Sequence, residues 1–209
     1  MRAVGGVGCC AALTQAVFDV GCLPARAVGI ERVFVTSGAQ ERIGALVQHA
    51  ARRRELGLKS ASYFVPAHCT APMRAVLAAA ATMNGGVALC APECVVALAA
   101  GERVALSADC SVVSWATKGP VGGGSQGYSV LRRRKKLLPE LAARLARGEV
   151  SGKDVGDMAA AGEEIQREVE NCAICWAGDT AFSAVLGNQQ ALEAECLCLC
   201  VPAHPGVNA

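Results

Sequence analysis

Aromatic residues are the scarcest material in this chain of 209 residues: two Trp, two Tyr and four Phe, 4% in all. So few rings leave no aromatic interleaving of the kind that single-stranded nucleic-acid binding uses. An excess of one charge is also lacking. Twenty Lys and Arg stand against eighteen Asp and Glu, a formal +2, which makes no electrostatic case for nucleic acid or for an acidic membrane surface. Histidine is down to three, His49, His68 and His204. A long unbroken apolar run is missing too. Residues 75–101 carry only Glu93, yet Asn84-Gly85-Gly86 and Pro92 interrupt them. They therefore read as buried helix and strand, with no membrane span.

What the chain does have is Ala, Gly and twelve Cys. A hydrophobic fraction of 53% against 18% charged residues excludes a disordered chain. The length suits one ordinary domain with a real core. The many small residues point to close helix–helix and helix–sheet packing. A disulfide framework is expected in short secreted chains, so here the thiols read as reduced, buried and hydrophobic. Cys172-x-x-Cys175 and Cys196-x-Cys198-x-Cys200 are the natural metal candidates, but a structural zinc site usually needs two such pairs at chelating spacing. No metal and no cofactor are expected. Residues 1–29 read as a leader or extension. Up to residue 27 they carry Arg2, Arg26 and one acid, Asp19, a composition that fits a plastid or other organelle address. Otherwise the protein reads as soluble and cytoplasmic.

Along the chain, 30–36 reads as a strand and 41–56 as a helix whose basic end, Arg52-Arg53-Arg54, is solvated. A second strand covers 60–65 and a helix with Pro in its first turn covers 72–83. A short buried strand at 86–89 leads to a helix at 92–100, and 104–106 and 111–115 are further strands. This alternation argues for a mostly parallel sheet with right-handed crossover helices. A Gly-rich segment, 119–127, lacks the Gly-Lys-Ser/Thr ending of a phosphate loop and opens onto a long helix, 128–147. The cations Arg132-Arg133-Arg134-Lys135-Lys136 then spread around that helix, where they face solvent or a partner. Another helix is expected near 153–170 and a short one at 178–187.

Gly85-Gly86-Val87-Ala88-Leu89-Cys90-Ala91-Pro92-Glu93-Cys94 is the most informative constellation. A thiol at a strand-to-helix turn faces the helix's positive end, which stabilises an anion and lowers the thiol pKa. On this motif alone a buried structural Cys remains the simpler reading.

This order of elements resembles the proteolytic subunits of the ATP-dependent Clp protease, ClpP and its non-catalytic relative ClpR, over residues 30–190. Glu31-Arg32-Val33-Phe34-Val35 resembles the family's first core strand and Ser62-Tyr63-Phe64-Val65 the strand before its glycine loop. Residues 86–100 resemble the nucleophile strand and helix, and 128–147 the protruding handle helix. The resemblance implies an α/β, ClpP/crotonase-like fold over 30–190, with 191–209 as a C-terminal tail. It puts Cys90 (Leu89 under a one-residue shift) at the nucleophile position, Ser114 or Lys118 at the base and Ile174 at the acid. Ala67-His68-Cys69 takes the place of the oxyanion loop, without its two glycines. Triad members act as a unit, so the resemblance implies a catalytically silent, ClpR-like subunit. Its partners would be catalytic ClpP-type subunits in a hetero-oligomeric ring and an ATP-dependent Clp chaperone, with no nucleic acid. Two alternatives stand beside it: a thiol hydrolase using Cys90 with His68 as base, and a crotonase-like acyl-CoA-binding enzyme.

Overall fold

In the computed structural model, residues 11–12, 15–117, 124–178, 180 and 182–199 are described. The elements run β1 (Ala11–Ala12), β2 (Val17–Phe18), α1 (Ala25–Val28), β3 (Arg32–Phe34), α2 (Gln40–Ile43), α3 (Leu46–Glu55), β4 (Ser62–Pro66), α4 (Thr70–Met83) and β5 (Val95–Leu98). They continue with β6 (Arg103–Ser107), β7 (Cys110–Thr117), β8 (Ser125–Leu137), α5 (Pro139–Ala146), α6 (Gly152–Ala160), β9 (Gln166–Ala177), α7 (Phe182–Leu186), α8 (Gln189–Leu192) and β10 (Cys196–Leu199). Two five-stranded sheets result. The first has the order β1-β2-β3-β4-β5, antiparallel at β1–β2 and parallel elsewhere. The second has the order β10-β9-β8-β7-β6, antiparallel except for the β9–β10 pair.

Alternation along the strands explains how the sheets stack. Val33, Val35, Tyr63, Val65 and Val95 point to one face and pack with Leu46, Ala50, Met73 and Leu77 from α3 and α4. Phe18, Phe34 and Phe64 point to the other, where the register places them side by side across three parallel strands. Their ring centroids are 5.5 and 4.9 Å apart. Tyr128 and Trp176 of the second sheet complete this layer, Tyr128 meeting Phe34 edge-on at 5.4 Å. The few aromatics are thus concentrated between the sheets, where large rings fill a gap that Ala and Gly cannot. The second sheet's outer face, with Trp115, Leu131 and Cys175, is covered by Val185 of α7 and Ala191 of α8.

This arrangement, a mixed α/β fold of two face-to-face sheets between helices, replaces the single mostly parallel ClpP/crotonase-like sheet expected from the sequence. Two local readings carried that error. The expected handle helix is strand up to Leu137. Pro139 then starts a new helix at its first turn, and a residue before proline is held in extended backbone. The expected nucleophile strand and helix are also absent. Residues 87–91 are coil, Pro92–Cys94 forms one 3-10 turn, and the β-branched Val95-Val96 begins β5. Expected elements at 30–36, 60–65, 72–83, 104–106 and 111–115 do coincide with β3, β4, α4, β6 and β7.

The solvated basic helix end needs correcting as well. Arg53 is buried, and its guanidinium donates to the carbonyls of Val28, Ile30 and Lys59. Val17, Val20 and Ala27, from the stretch read as an extension, lie in the helix-side core. Cys196–Leu199, from the stretch read as a tail, adds the edge strand β10.

Candidate functional site

Apart from the chain neighbours His68 and Cys69, the described residues singled out from the sequence for catalysis lie apart from one another. Cys90 sits in the coil after α4, lining a recess of about 270 Å³ with Arg54, Leu58 and Tyr63 at the amino end of β4. Burial, and then the neighbouring Cys94, push its thiol up to about 11, so it is protonated at neutral pH and a poor nucleophile. His68 and Cys69 lie beyond the opposite end of β4. At roughly 3.3 Å per residue, the strand from Tyr63 to Pro66 alone holds the two ends about 10 Å apart. Ser114 is buried in β7, and its hydroxyl donates to the carbonyls of Ala99 and Glu102, tying down the β5–β6 turn. Ile174 packs into the layer between the sheets. Lys118 lies outside the described residues, as do Cys200 and His204.

What the fold does assemble lies at the carboxyl ends of β2 and β3, the place where α/β sheets open onto ligand crevices. Asp19 is fully buried there and has a positive φ of 58°, a conformation uncommon for a non-glycine residue. Two backbone bonds hold it, Asp19 N–H to Phe34 O at 2.8 Å and Val20 N–H to Arg42 O at 2.6 Å. Its carboxylate accepts from the Thr36 N–H at 2.8 Å, the Thr36 hydroxyl at 3.0 Å and the Trp176 indole at 3.0 Å. The Arg42 guanidinium, itself buried, stands 3.6 Å away. Burial raises the Asp19 carboxyl to about 6, with Arg42 and the hydrogen bonds opposing.

The same corner joins the two sheets. Gln126 N–H donates to Thr36 O at 2.9 Å, and the Tyr128 hydroxyl to Val35 O at 2.7 Å. Gly178 sits so close to the Thr36 side chain that a Cβ there would collide with it. At the rim, exposed His68 places Nε2 3.2 Å from the Cys69 sulfur. Sequence reasoning missed this cluster, although Asp19 is the one charge between Arg2 and Arg26. A lone carboxylate in an apolar run is the signal that could have found it, because buried charges are almost always paired.

No protein-family model matches the chain. It is 31% identical to the chloroplastic tRNase Z TRZ2 of Arabidopsis thaliana over 198 residues, which cover 93% of this chain and 53% of that protein. It is 25% identical to the tRNase Z TRZ1 of the same plant over 182 residues, 86% of this chain and 61% of that relative. The chain therefore spans between half and two thirds of the length of the relatives it matches.

These matches overturn the Clp resemblance, and with it the silent ring subunit, its ClpP-type and chaperone partners, and the thiol-hydrolase and acyl-CoA alternatives. The exclusion of nucleic acid falls too, since both relatives are by name tRNases. It rested on the scarcity of aromatic rings and on net charge, and a whole-chain sum hides one-sided patches. The expectation of no membrane span concerns helices, and among the described residues no helix is long and apolar enough to cross a membrane.

A nuclease of the kind the relatives' names imply works through bound metal ions, and the described residues do not fit such a metal centre. Among the described residues no three His, Cys, Asp or Glu side chains come together as a ligand set. After β3 and Val35 the chain reads Thr36-Ser37-Gly38-Ala39-Gln40-Glu41-Arg42, and Asp19, the single buried carboxylate among the described residues, is already engaged by Arg42. Cys172 and Cys175 are buried in β9, and burial raises both thiols. Cys196 and Cys198 bring their sulfurs to 3.8 Å on one face of β10. Over most of its length the chain is similar to tRNase Z, and its own buried site is an Asp19–Arg42 pair.

Proposed function

We propose that this chain is a tRNase Z-like RNA-binding protein that engages precursor tRNA without cutting it through a metal centre. The observation that carries this reading is the buried Asp19–Arg42 pair at the carboxyl ends of β2 and β3. A permanently cationic guanidinium stands beside the one carboxylate buried among the described residues, at a corner where those residues offer no three-ligand set. Metal-assisted phosphodiester hydrolysis needs a bound cation to activate water and stabilise the leaving oxygen. The relatives called tRNase Z supply the RNA class. The same reading puts the chain in a plastid, supported by a relative called chloroplastic.

The test is incubation of the purified full-length chain with a 3′-extended precursor tRNA in the presence of zinc, manganese or magnesium. The expected result is a shifted complex whose RNA keeps its full length. Metal-stimulated shortening of the RNA overturns the reading.

A further inference from the structure

β10 ends the second sheet, pairing with β9 on one side and with no strand on the other among the described residues. Its side chains alternate. Leu197 and Leu199 are exposed on one face, while Cys196 and Cys198 share the other, both half-buried. Cys198 packs against the layer between the sheets, beside Ile174 and Trp176. Register sets Cys196 opposite Ile174 and Cys198 opposite Trp176, which holds the strand extended. The two sulfurs stand 3.8 Å apart.

Thiols this close are joined either directly or through an ion, and the backbone discriminates between the two. A disulfide needs sulfurs about 2.05 Å apart and Cα atoms no more than about 6.8 Å apart. Alternate residues of an extended strand stand about 6.6 Å apart, at the limit of that range. Direct joining would therefore pinch β10 and pull it from the β9 ladder. A bound ion leaves the strand straight. Thiolate sulfur lies about 2.3 Å from a metal such as zinc, so sulfurs up to about 4.6 Å apart can share one ion. The observed 3.8 Å falls inside that reach. Zinc itself takes four ligands, and among the described residues no three metal-binding side chains converge. Monovalent copper is soft, selects thiolate sulfur and is satisfied by two.

We infer that Cys196 and Cys198 form a two-thiolate site for one Cu(I) ion at the edge of the second sheet. Each thiol gives up its proton as its sulfur bonds the ion. Two protons go to solvent, the copper–dithiolate unit carries one net negative charge, and no electron moves. The unpaired side of β10 supplies an entry path, and the apolar layer behind Cys198 limits access of water to the ion. Because the ladder already sets the sulfur spacing, binding orders little additional chain. An ion filled by two thiolates is no catalyst of phosphodiester cleavage, which needs an open position for water. The site therefore stands or falls independently of the RNA-binding reading.

The experiment titrates the reduced full chain, without oxygen, with Cu(I) supplied as its complex with the chelator bicinchoninate. The parent should withdraw one ion per chain. Cys196→Ser and Cys198→Ser should each hold it at least about a hundredfold more weakly, since each removes one of the two ligands. The double variant Cys90→Ser, Cys94→Ser, which removes another pair of neighbouring thiols, should bind as the parent does. Cys200 lies outside the described residues and is kept in every variant. Because two protons leave, parent affinity should fall about a hundredfold for each unit of pH below about 8. A measurement on the parent alone covers the case of a variant that does not fold. One equivalent of Cu(I) should shield Cys196 and Cys198 from iodoacetamide, read by peptide mass, and leave the half-buried Cys22 and Cys110 reacting as before. No binding by the folded parent, unchanged binding in both single serine variants, or alkylation of Cys196 and Cys198 at the copper-free rate overturns the site.

Discussion

Asp19 and Arg42 are each unstable company for an apolar core and are tolerable only together. Both are buried, and Asp19 also collects donors from Thr36 and Trp176. Removing one member of a buried pair strands the other charge, at a cost of about 3–5 kcal/mol, whereas replacing both with apolar groups can be nearly neutral. Asp19→Asn and Arg42→Met should therefore each lower the urea midpoint sharply. The double variant should recover much of the loss, giving a large coupling energy in the cycle. Simple additivity would show that the pair does not act as a unit. The Thr36 and Trp176 donors keep a partner in Asp19→Asn only in part, because an amide offers one accepting oxygen.

At the scale of elements, α3 is fixed to α1 and β4 by one imidazole. His49 is fully buried; its Nε2–H donates to Ala27 O at 3.2 Å, and Nδ1 accepts from the Tyr63 hydroxyl at 2.9 Å. This arrangement needs the neutral ring, and burial lowers its pKa below 6.5. The unfolded chain then takes the proton first, so the stability His49 contributes is present above about pH 6.5 and is lost as pH falls. Asp19 works with the opposite sign, favouring the folded state below its ordinary value of 3.8 and losing that advantage as pH rises through about 6. The difference in urea midpoint between the parent and His49→Gln should shrink from pH 7.5 to 5.5, and a constant difference would refute the tautomer. Elements such as β3, β4 and α4 were legible in the sequence because alternation or helical spacing and their turn residues agree. β8 was not, because Leu131, Leu137, Leu138 and Leu141 also fit a helical spacing. Only pairing with β9, which sets Glu168 and Glu170 against its cations, decides for strand. The buried site was illegible for a related reason: Trp176 reaches Asp19 across 157 residues of chain.

As a whole molecule the protein is a two-sheet sandwich, and at the carboxyl ends of β2 and β3 an internal salt bridge stands where the described residues form no ligand set. If the guanidinium of Arg42 has made a metal unnecessary, neither the fold nor RNA binding should depend on metal. The most direct measurement is the affinity of the full chain for a 3′-extended precursor tRNA, taken with excess chelator and again with added zinc or manganese, with the RNA length read on the same gel. The account predicts the same dissociation constant within about twofold and RNA of unchanged length in both conditions. A tenfold loss of affinity on chelation, or shortened RNA on adding metal, would contradict it.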